Sequence, residues 1–185
     1  SSWRALTDGL RYRRMDRDGW RGFFGALGWS IGGSVLVSAG LQLVHFYRWL
    51  PLPAGLLPIQ DPRITASAEV IQAAWGGDLY GKWGLLLIFL LWLVIFNTLG
   101  EELWFRGILL QLHEEAHGSR AWLIQGVLWA LFHLFKYWAI PGLLPMCFAL
   151  PYMSQKLKNN TPALLAHLLI NCIALLPLAM AVFGA

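Results

Sequence analysis

Long runs without charge alternate with short polar turns along this chain, at lengths that suit membrane helices. The first apolar run, Gly22 to Tyr47, is rich in small residues: Gly25, Gly28, Gly32, Gly33 and Gly40. Such residues let helix backbones approach closely in lipid. Over residues 50–81 the pattern changes, because Pro51, Pro53, Pro58 and Pro62 forbid a continuous helix. Within that stretch Ile64 to Ala74 has the pattern of a short amphipathic helix lying at the interface. Trp83 to Leu112 is a second apolar run. As one helix it would be about 45 Å long against a hydrocarbon core of roughly 30 Å, so it must tilt, kink or divide. Asn97-Thr98-Leu99-Gly100 is its weak point.

Gln111 to Arg120 reads as a polar turn and Ala121 to Trp138 as the next span. Pro141 and Pro145 open a short irregular apolar segment to Met153, and Gln155 to Asn160 is a basic-polar turn. Thr161 to Phe183 is the last span, with Thr161 as N-cap and Pro162 at the first helical position. The pattern predicts an all-α integral membrane protein, a polytopic helical bundle of five transmembrane helices, or six if the long run divides. Its single transmembrane domain, residues 1–185, comprises a basic arm (1–21), a first span (22–47), a loop with an interfacial helix (48–82) and a core (83–185).

Composition supports this class. Of the 185 residues, 57% are hydrophobic and only 13% charged, where a soluble domain carries about 25% charged residues. Eleven tryptophans fit interfacial aromatic belts. The net charge of +4 is uneven: Arg4, Arg11, Arg13, Arg14, Arg17 and Arg21 precede the first span, offset in part by Asp8, Asp16 and Asp18. Beside a membrane span, such an arm reads as an anionic-lipid contact and a positive-inside signal, not as a nucleic-acid site. This predicts a cytoplasmic N-terminus, with Arg120, Lys156 and Lys158 on the same side and Arg48, Arg63, Lys82 and Lys136 on the other. No cleavable signal peptide is read in the charged N-terminus. Cys147 and Cys172 match no metal motif and read as small buried apolar residues.

Polar residues at membrane depth change the picture from architecture to chemistry. They fall on three separate spans: Glu101, Glu102 and Arg106; His133; and His167 with Asn171. A carboxylate inside the bilayer costs at least a few kcal/mol unless it is paired or faces a polar cavity. Glu102 and Arg106 are four apart and can form an ion pair on one helix face. Glu101 points about 100° away, and Asn97 shares its face if the helix is unbroken. His167 and Asn171 are also four apart and project together. Counted from the flanking polar turns, Glu101, His133 and His167 lie at depths of about 18, 20 and 14 Å, one narrow layer near mid-membrane.

Two carboxylates, two histidines and an amide can activate water. In this reading Glu101 takes the proton, His133 positions the water, and His167 and Asn171 stabilise the oxyanion of a tetrahedral intermediate. The outcome is hydrolysis of a peptide or other acyl bond. A serine or cysteine nucleophile has less support, since Cys172 lies on another helix face from Asn171.

The series Glu-Glu-x-x-x-Arg, aromatic-x-x-x-His and His-x-x-x-Asn on successive helices resembles the CPBP family, the CAAX prenyl protease 2-type glutamic intramembrane proteases. The likeness runs from about Gly84 to Ala179 and is closest in the phrase EELWFRGILL. It implies an intramembrane endopeptidase with Glu101 as base, His133 as its partner, His167 and Asn171 as oxyanion stabilisers, and Glu102 and Arg106 as supporting residues. The second motif usually has phenylalanine four residues before its histidine. Here that residue is Trp129, a difference read as one of pocket shape more than of chemistry. The chain resembles compact prokaryotic members, some of which are thought to process C-terminal sorting signals. That likeness implies a prokaryotic plasma membrane and a membrane-associated protein or peptide substrate that need not be prenylated.

Other readings compete. Two histidines and a glutamate could ligate zinc with an open position for water, although the resemblance implies a metal-free site with no cofactor. A non-catalytic scaffold or bacteriocin-immunity protein could keep the same fold. A proton-relay transporter would need more spans and repeated halves. His113 and His117, with Glu114 and Glu115, fall in the polar turn and read as a solvated loop, not a zinc site.

Overall fold

The computed structural model describes residues 2–54, 56 and 61–184, so Pro58, one of the expected helix breakers, lies outside it. Among the described residues the regular structure is helical throughout. Helix α1 spans Ser2–Gly9, α2 Arg17–Leu43, α3 Phe46–Trp49 and α4 Ala68–Ala74. Helix α5, Trp83–Trp92, runs on through two π-helical segments, Leu93–Gly100 and Glu102–Leu109, into α6, Leu110–His117. Helices α7, Ala121–Phe132, α8, Ile140–Leu157, α9, Thr161–Ala174, and α10, Leu176–Phe183, complete the order.

Three stretches are long and apolar enough to cross a membrane: Arg17–Leu43, Trp83–Phe132 and Leu134–Leu157. Helices α9 and α10, bent by 47°, make a fourth if taken together. This is an all-α polytopic membrane protein, with fewer spans by length than the five or six expected. The second stretch is a hairpin. Gly118, at φ 57°, takes a conformation that favours glycine, and the chain reverses there. Residues 102–117 and 121–132 then lie side by side, with Phe105 against Phe132 and His113 against Gln125. The expected span Ala121 to Trp138 is this return arm. At 12 residues it is only about 18 Å of helix, and it ends at His133.

Several boundaries differ from expectation for physical reasons. Helix α2 starts at Arg17, not Gly22, because the Asp16 side chain accepts from Gly19 N at 2.7 Å and caps it. The break expected at residues 97–100 does not occur; the helix widens into π turns and continues. Asn97 and Thr98 accept hydrogen bonds from Asn171 instead of competing with their own backbone. The polar turn expected from Gln111 is helical to His117. Residues 141–153, expected to be irregular, belong to the 18-residue helix α8 with Pro145 and Pro151 inside it. Neighbouring helices in a membrane bundle tolerate such prolines: Pro145 packs on Gly33, and Pro151 is buried. The N-cap of α9 is Asn160, not Thr161.

Close approach of α2 to α8 depends on glycine. A Cβ on Gly22 would fall 2.5 Å from Leu157 and 2.8 Å from Met153, and one on Gly33 would fall 2.7 Å from Pro145. The main core joins Phe23 and Ala26 of α2 to Phe105, Trp129, Cys147, Leu150, Ala163 and Ala166. A second cluster packs Ala68 and Ile71 of α4 on Leu178, Ala181 and Val182 of α10. The expected interfacial helix is therefore present, shorter than predicted and docked on the end of the bundle. Large apolar side chains such as Leu87, Ile88, Trp92, Phe96 and Trp104 stay exposed around the outside, as a lipid-facing surface requires. At one end the turns around Gly118 and Lys158 meet the N-terminal arm through Arg11–Glu114 and Lys158–Glu114 contacts. At the other, the Tyr137 hydroxyl donates to the Pro51 carbonyl.

Candidate active site

The π-helical segments, with Glu101 between them, carry Asn97, Glu101, Glu102 and Arg106 into the bundle. Such widened turns often occur where a helix serves a site. Around them the structure gathers every residue singled out from the sequence. Glu102 and Arg106 are both fully buried, with Arg106 Nη1 3.1 Å from Glu102 Oε1. The same Glu102 oxygen lies 2.8 Å from His167 Nδ1 on α9. On its other side the Arg106 guanidinium lies 3.7 Å from the centroid of the Trp129 ring, a cation–π contact strengthened by desolvation.

Glu101 is also buried but has different partners. Asn97 Nδ2 donates to its Oε1 at 3.2 Å, as the shared helix face predicts, and Trp129 Nε1 donates to its Oε2 at 2.7 Å. His133 Nε2 stands 4.0 Å from Oε2. The other nitrogen of His133, Nδ1, lies 2.7 Å from the Trp129 carbonyl oxygen. A carbonyl only accepts, so Nδ1 carries the proton and Nε2 is the free acceptor in the neutral ring. Two atoms 4.0 Å apart can share a water at about 2.8 Å from each, subtending roughly 90° at its oxygen.

His167 and Asn171 project together from α9 but are already engaged. With His167 Nδ1 committed to Glu102, its Nε2 edge is what remains. Asn171 Nδ2 donates to Asn97 Oδ1 at 2.6 Å and to Thr98 Oγ1 at 3.0 Å. Asn171, Asn97 and Glu101 thus form one hydrogen-bonded chain. The cluster is two linked groups: Glu101 with Asn97, Trp129 and His133, and Glu102 with Arg106 and His167. Trp129 joins them.

Some residues that shape the site had only weak sequence signals. Trp129 stood out as a motif difference read as pocket shape; its indole N–H in fact bonds the Glu101 carboxylate. Thr98 and Asn160 carried no signal beyond being polar beside apolar runs. Asn160 is fully buried, and its Nδ2 donates to the Arg106 carbonyl at 3.0 Å and to the Leu10 carbonyl at 2.7 Å. It pins the N-terminal arm to the helix that carries the glutamates. Tyr12 of that arm turns its hydroxyl into the protein. Burial pushes the Tyr12 phenol well above its ordinary value, the Glu102 charge adds to this, and Arg106 opposes it.

The solvated-loop reading of residues 113–117 needs correction. His113-Glu114-Glu115-Ala116-His117 has the His-Glu-x-x-His spacing of zinc-protease helices, and it is helical, with the two imidazoles 6.2 Å apart. The glutamate in that motif must be free to act on water. Here Glu114 is held by Arg11 at 2.8 Å and by Lys158. His113 Nδ1 lies 3.0 Å from Gln125 Oε1. Among the described residues, no three His, Cys, Asp or Glu side chains converge as metal ligands do.

The motif region of this chain has a recognised counterpart. Residues 83–173 match the family model described as type II CAAX prenyl endopeptidase, Rce1-like. No curated protein and no solved structure matches the chain. The matched region contains Glu101, Glu102, Arg106, His133, His167 and Asn171, and ends just before the bend into α10. Over residues 83–173 this chain is similar to the Rce1-like type II CAAX prenyl endopeptidases, of the CPBP group.

Proposed function

We propose that this chain is a glutamic intramembrane endopeptidase that cleaves a membrane-associated protein near its C-terminus or at the membrane boundary. The observation that carries this reading is Glu101 Oε2, buried at membrane depth and 4.0 Å from the free Nε2 of His133. Water held between them loses a proton to Glu101 as its oxygen attacks the scissile carbonyl. His133 keeps the water on line, its own orientation set by the Trp129 carbonyl. The developing oxyanion takes a hydrogen bond from the Nε2 edge of His167 in its imidazolium form. It takes another from Asn171, which exchanges its longer contact, to Thr98, for the oxyanion. The proton on Glu101 then passes to the leaving amine. Glu102 and Arg106 hold His167 and the helix in place.

No metal enters this scheme. The substrate is a protein or peptide in the bilayer, with or without a prenyl group, and the protein sits in a prokaryotic plasma membrane with its N-terminus in the cytoplasm. The exposed arginines of the arm, such as Arg13 and Arg14, face anionic lipid.

The substrate is an outcome of the test rather than a requirement for it. Wild type and Glu101→Gln are expressed at matched levels in a host lacking the gene, and C-terminal peptides of membrane and exported proteins are compared by mass spectrometry. Discrete truncated species seen only with wild type are expected, and they identify the substrates. Identical profiles, with the mutant still restoring the knockout's phenotype, would transfer the protein to the scaffold or immunity class. Loss of the fragments on chelation, restored by zinc, would replace the metal-free mechanism.

A further inference from the structure

Trp129 is completely buried and touches four members of the cluster. Its indole N–H bonds Glu101 Oε2 at 2.7 Å, its ring face lies 3.7 Å from the Arg106 guanidinium carbon, and its carbonyl receives His133 Nδ1. Its ring also meets those of His133 and His167 edge-on, at 5.6 and 5.3 Å. We propose that Trp129 is the positioning residue of the hydrolytic site: its indole N–H fixes the one orientation in which the Glu101 carboxylate can serve as base. This inference rests on the hydrolytic reading above.

The argument starts from valence. An indole nitrogen only donates, and when buried it needs an acceptor. Here the acceptor is the same oxygen, Oε2, that faces His133 Nε2. A carboxylate oxygen has two in-plane lone pairs. The indole N–H occupies one and leaves the other for the proton of water. The second oxygen, Oε1, is held by Asn97. Glu101 is therefore gripped from two helices, its own and α7, and cannot rotate its free lone pair away from His133.

The backbone part of this arrangement survives any substitution at position 129, because the carbonyl is common to all residues. The ring part survives in phenylalanine, which keeps an aromatic face for Arg106. Only the N–H is particular to tryptophan. Trp129→Phe therefore isolates the anchor from the packing.

The test has two arms on the full-length protein in micelles. A peptide spanning the cleavage site found with wild type gives kcat and KM for wild type and Trp129→Phe, with the melting temperature of each. In parallel, ¹⁵N-tryptophan labelling identifies the Trp129 indole resonance as the signal missing from Trp129→Phe, and its position is recorded in Glu101→Gln. Expected are a fall in kcat of about tenfold or more, as misplacement of a catalytic group produces, with KM and melting temperature nearly unchanged. The indole signal should shift in Glu101→Gln as its acceptor changes from carboxylate to amide. A wild-type kcat in Trp129→Phe, a loss that only follows lost folding, or an unmoved indole signal would each overturn the positioning role. Absence of any wild-type turnover would overturn the hydrolytic reading and the positioning role together, and the indole signal would then report on the contact alone.

Discussion

His167 Nδ1 lies 2.8 Å from Glu102 Oε1, joining α9 to the motif helix at the centre of the bundle. The glutamate next in sequence, Glu101, makes no such bond and faces α7 instead. Adjacent carboxylates are thus given separate partners by helix geometry: one is paired with Arg106 and bound to His167, the other is held by Asn97 and Trp129.

Glu102 is therefore expected to matter first for stability. Glu102→Gln leaves Arg106 buried without a counter-charge, which costs about 3–5 kcal/mol. The double variant Glu102→Met, Arg106→Met removes both charges and should recover most of that loss. Thermal unfolding in detergent measures both effects. Activity should stay low in the double variant, because His167 has lost its partner.

Glu101 should show the reverse. Glu101→Gln keeps the size and shape of the side chain, but its amide can accept from Trp129 or from Asn97 and not from both, so the cost in stability should be that of one buried hydrogen bond, about 1–3 kcal/mol. Turnover should fall by about 10²–10⁴-fold, the contribution of a general base. Kinetics on purified protein alongside its unfolding curve separates the two.

The histidines of residues 113–117 should be dispensable for chemistry. His113→Ala and His117→Ala are expected to cleave at near the wild-type rate, since Glu114 is already bound by Arg11 and Lys158. A loss as deep as that of Glu101→Gln would move the active site to the His-Glu-x-x-His segment and make it a metal centre.

Asn97 bridges the two ends of a hydrogen-bonded chain, from Asn171 to Glu101. Asn97→Ala frees one oxygen of Glu101 and one donor of Asn171 at once, and leaves Asn171 its bond to Thr98. It should lower kcat by about tenfold, and Asn171→Ala with Asn97→Ala should lose less than the sum of the two single effects, because they act through one chain. A double-mutant cycle measures this directly.

Tyr12 gives an alkaline prediction. Its phenol is raised in the folded protein by burial, so its contribution to stability is full below about pH 10, the ordinary tyrosine value. The contribution drains away as pH rises from there toward the folded value, because the unfolded chain deprotonates first. Tyr12→Phe should flatten the fall in melting temperature above about pH 10 and leave the neutral value nearly unchanged.

The sequence made the site more legible than the fold around it. Charge at membrane depth is costly enough that Glu101, Glu102, Arg106, His133 and His167 stood out, and all five come together. Hydrophobic runs located the helices but misjudged their ends and their form. Pro141 and Pro145 looked like breakers because proline's cost was counted without the first helical turn that accepts Pro141 or the neighbours that offset Pro145. The π-helical widening at residues 93–100 showed in the sequence only as a weak point at residues 97–100, because the Asn171 side chain that bonds Asn97 and Thr98 comes from a distant helix. Trp129 was ambiguous for another reason: an indole in an apolar run is ordinary packing until its N–H is seen to meet a carboxylate.

The side chain of Asn160 bonds carbonyls at residues 10 and 106, so three distant points of the chain are closed by one amide. A ribosome delivers the arm before the glutamate helix, and this amide after both. Until residue 160 has left the exit tunnel, the glutamate helix can be inserted but not locked. The order of synthesis therefore keeps the polar cluster incomplete up to that point, since His167 and Asn171 follow Asn160, and a nascent chain stalled there should lack the Glu102–His167 and Asn97–Asn171 contacts.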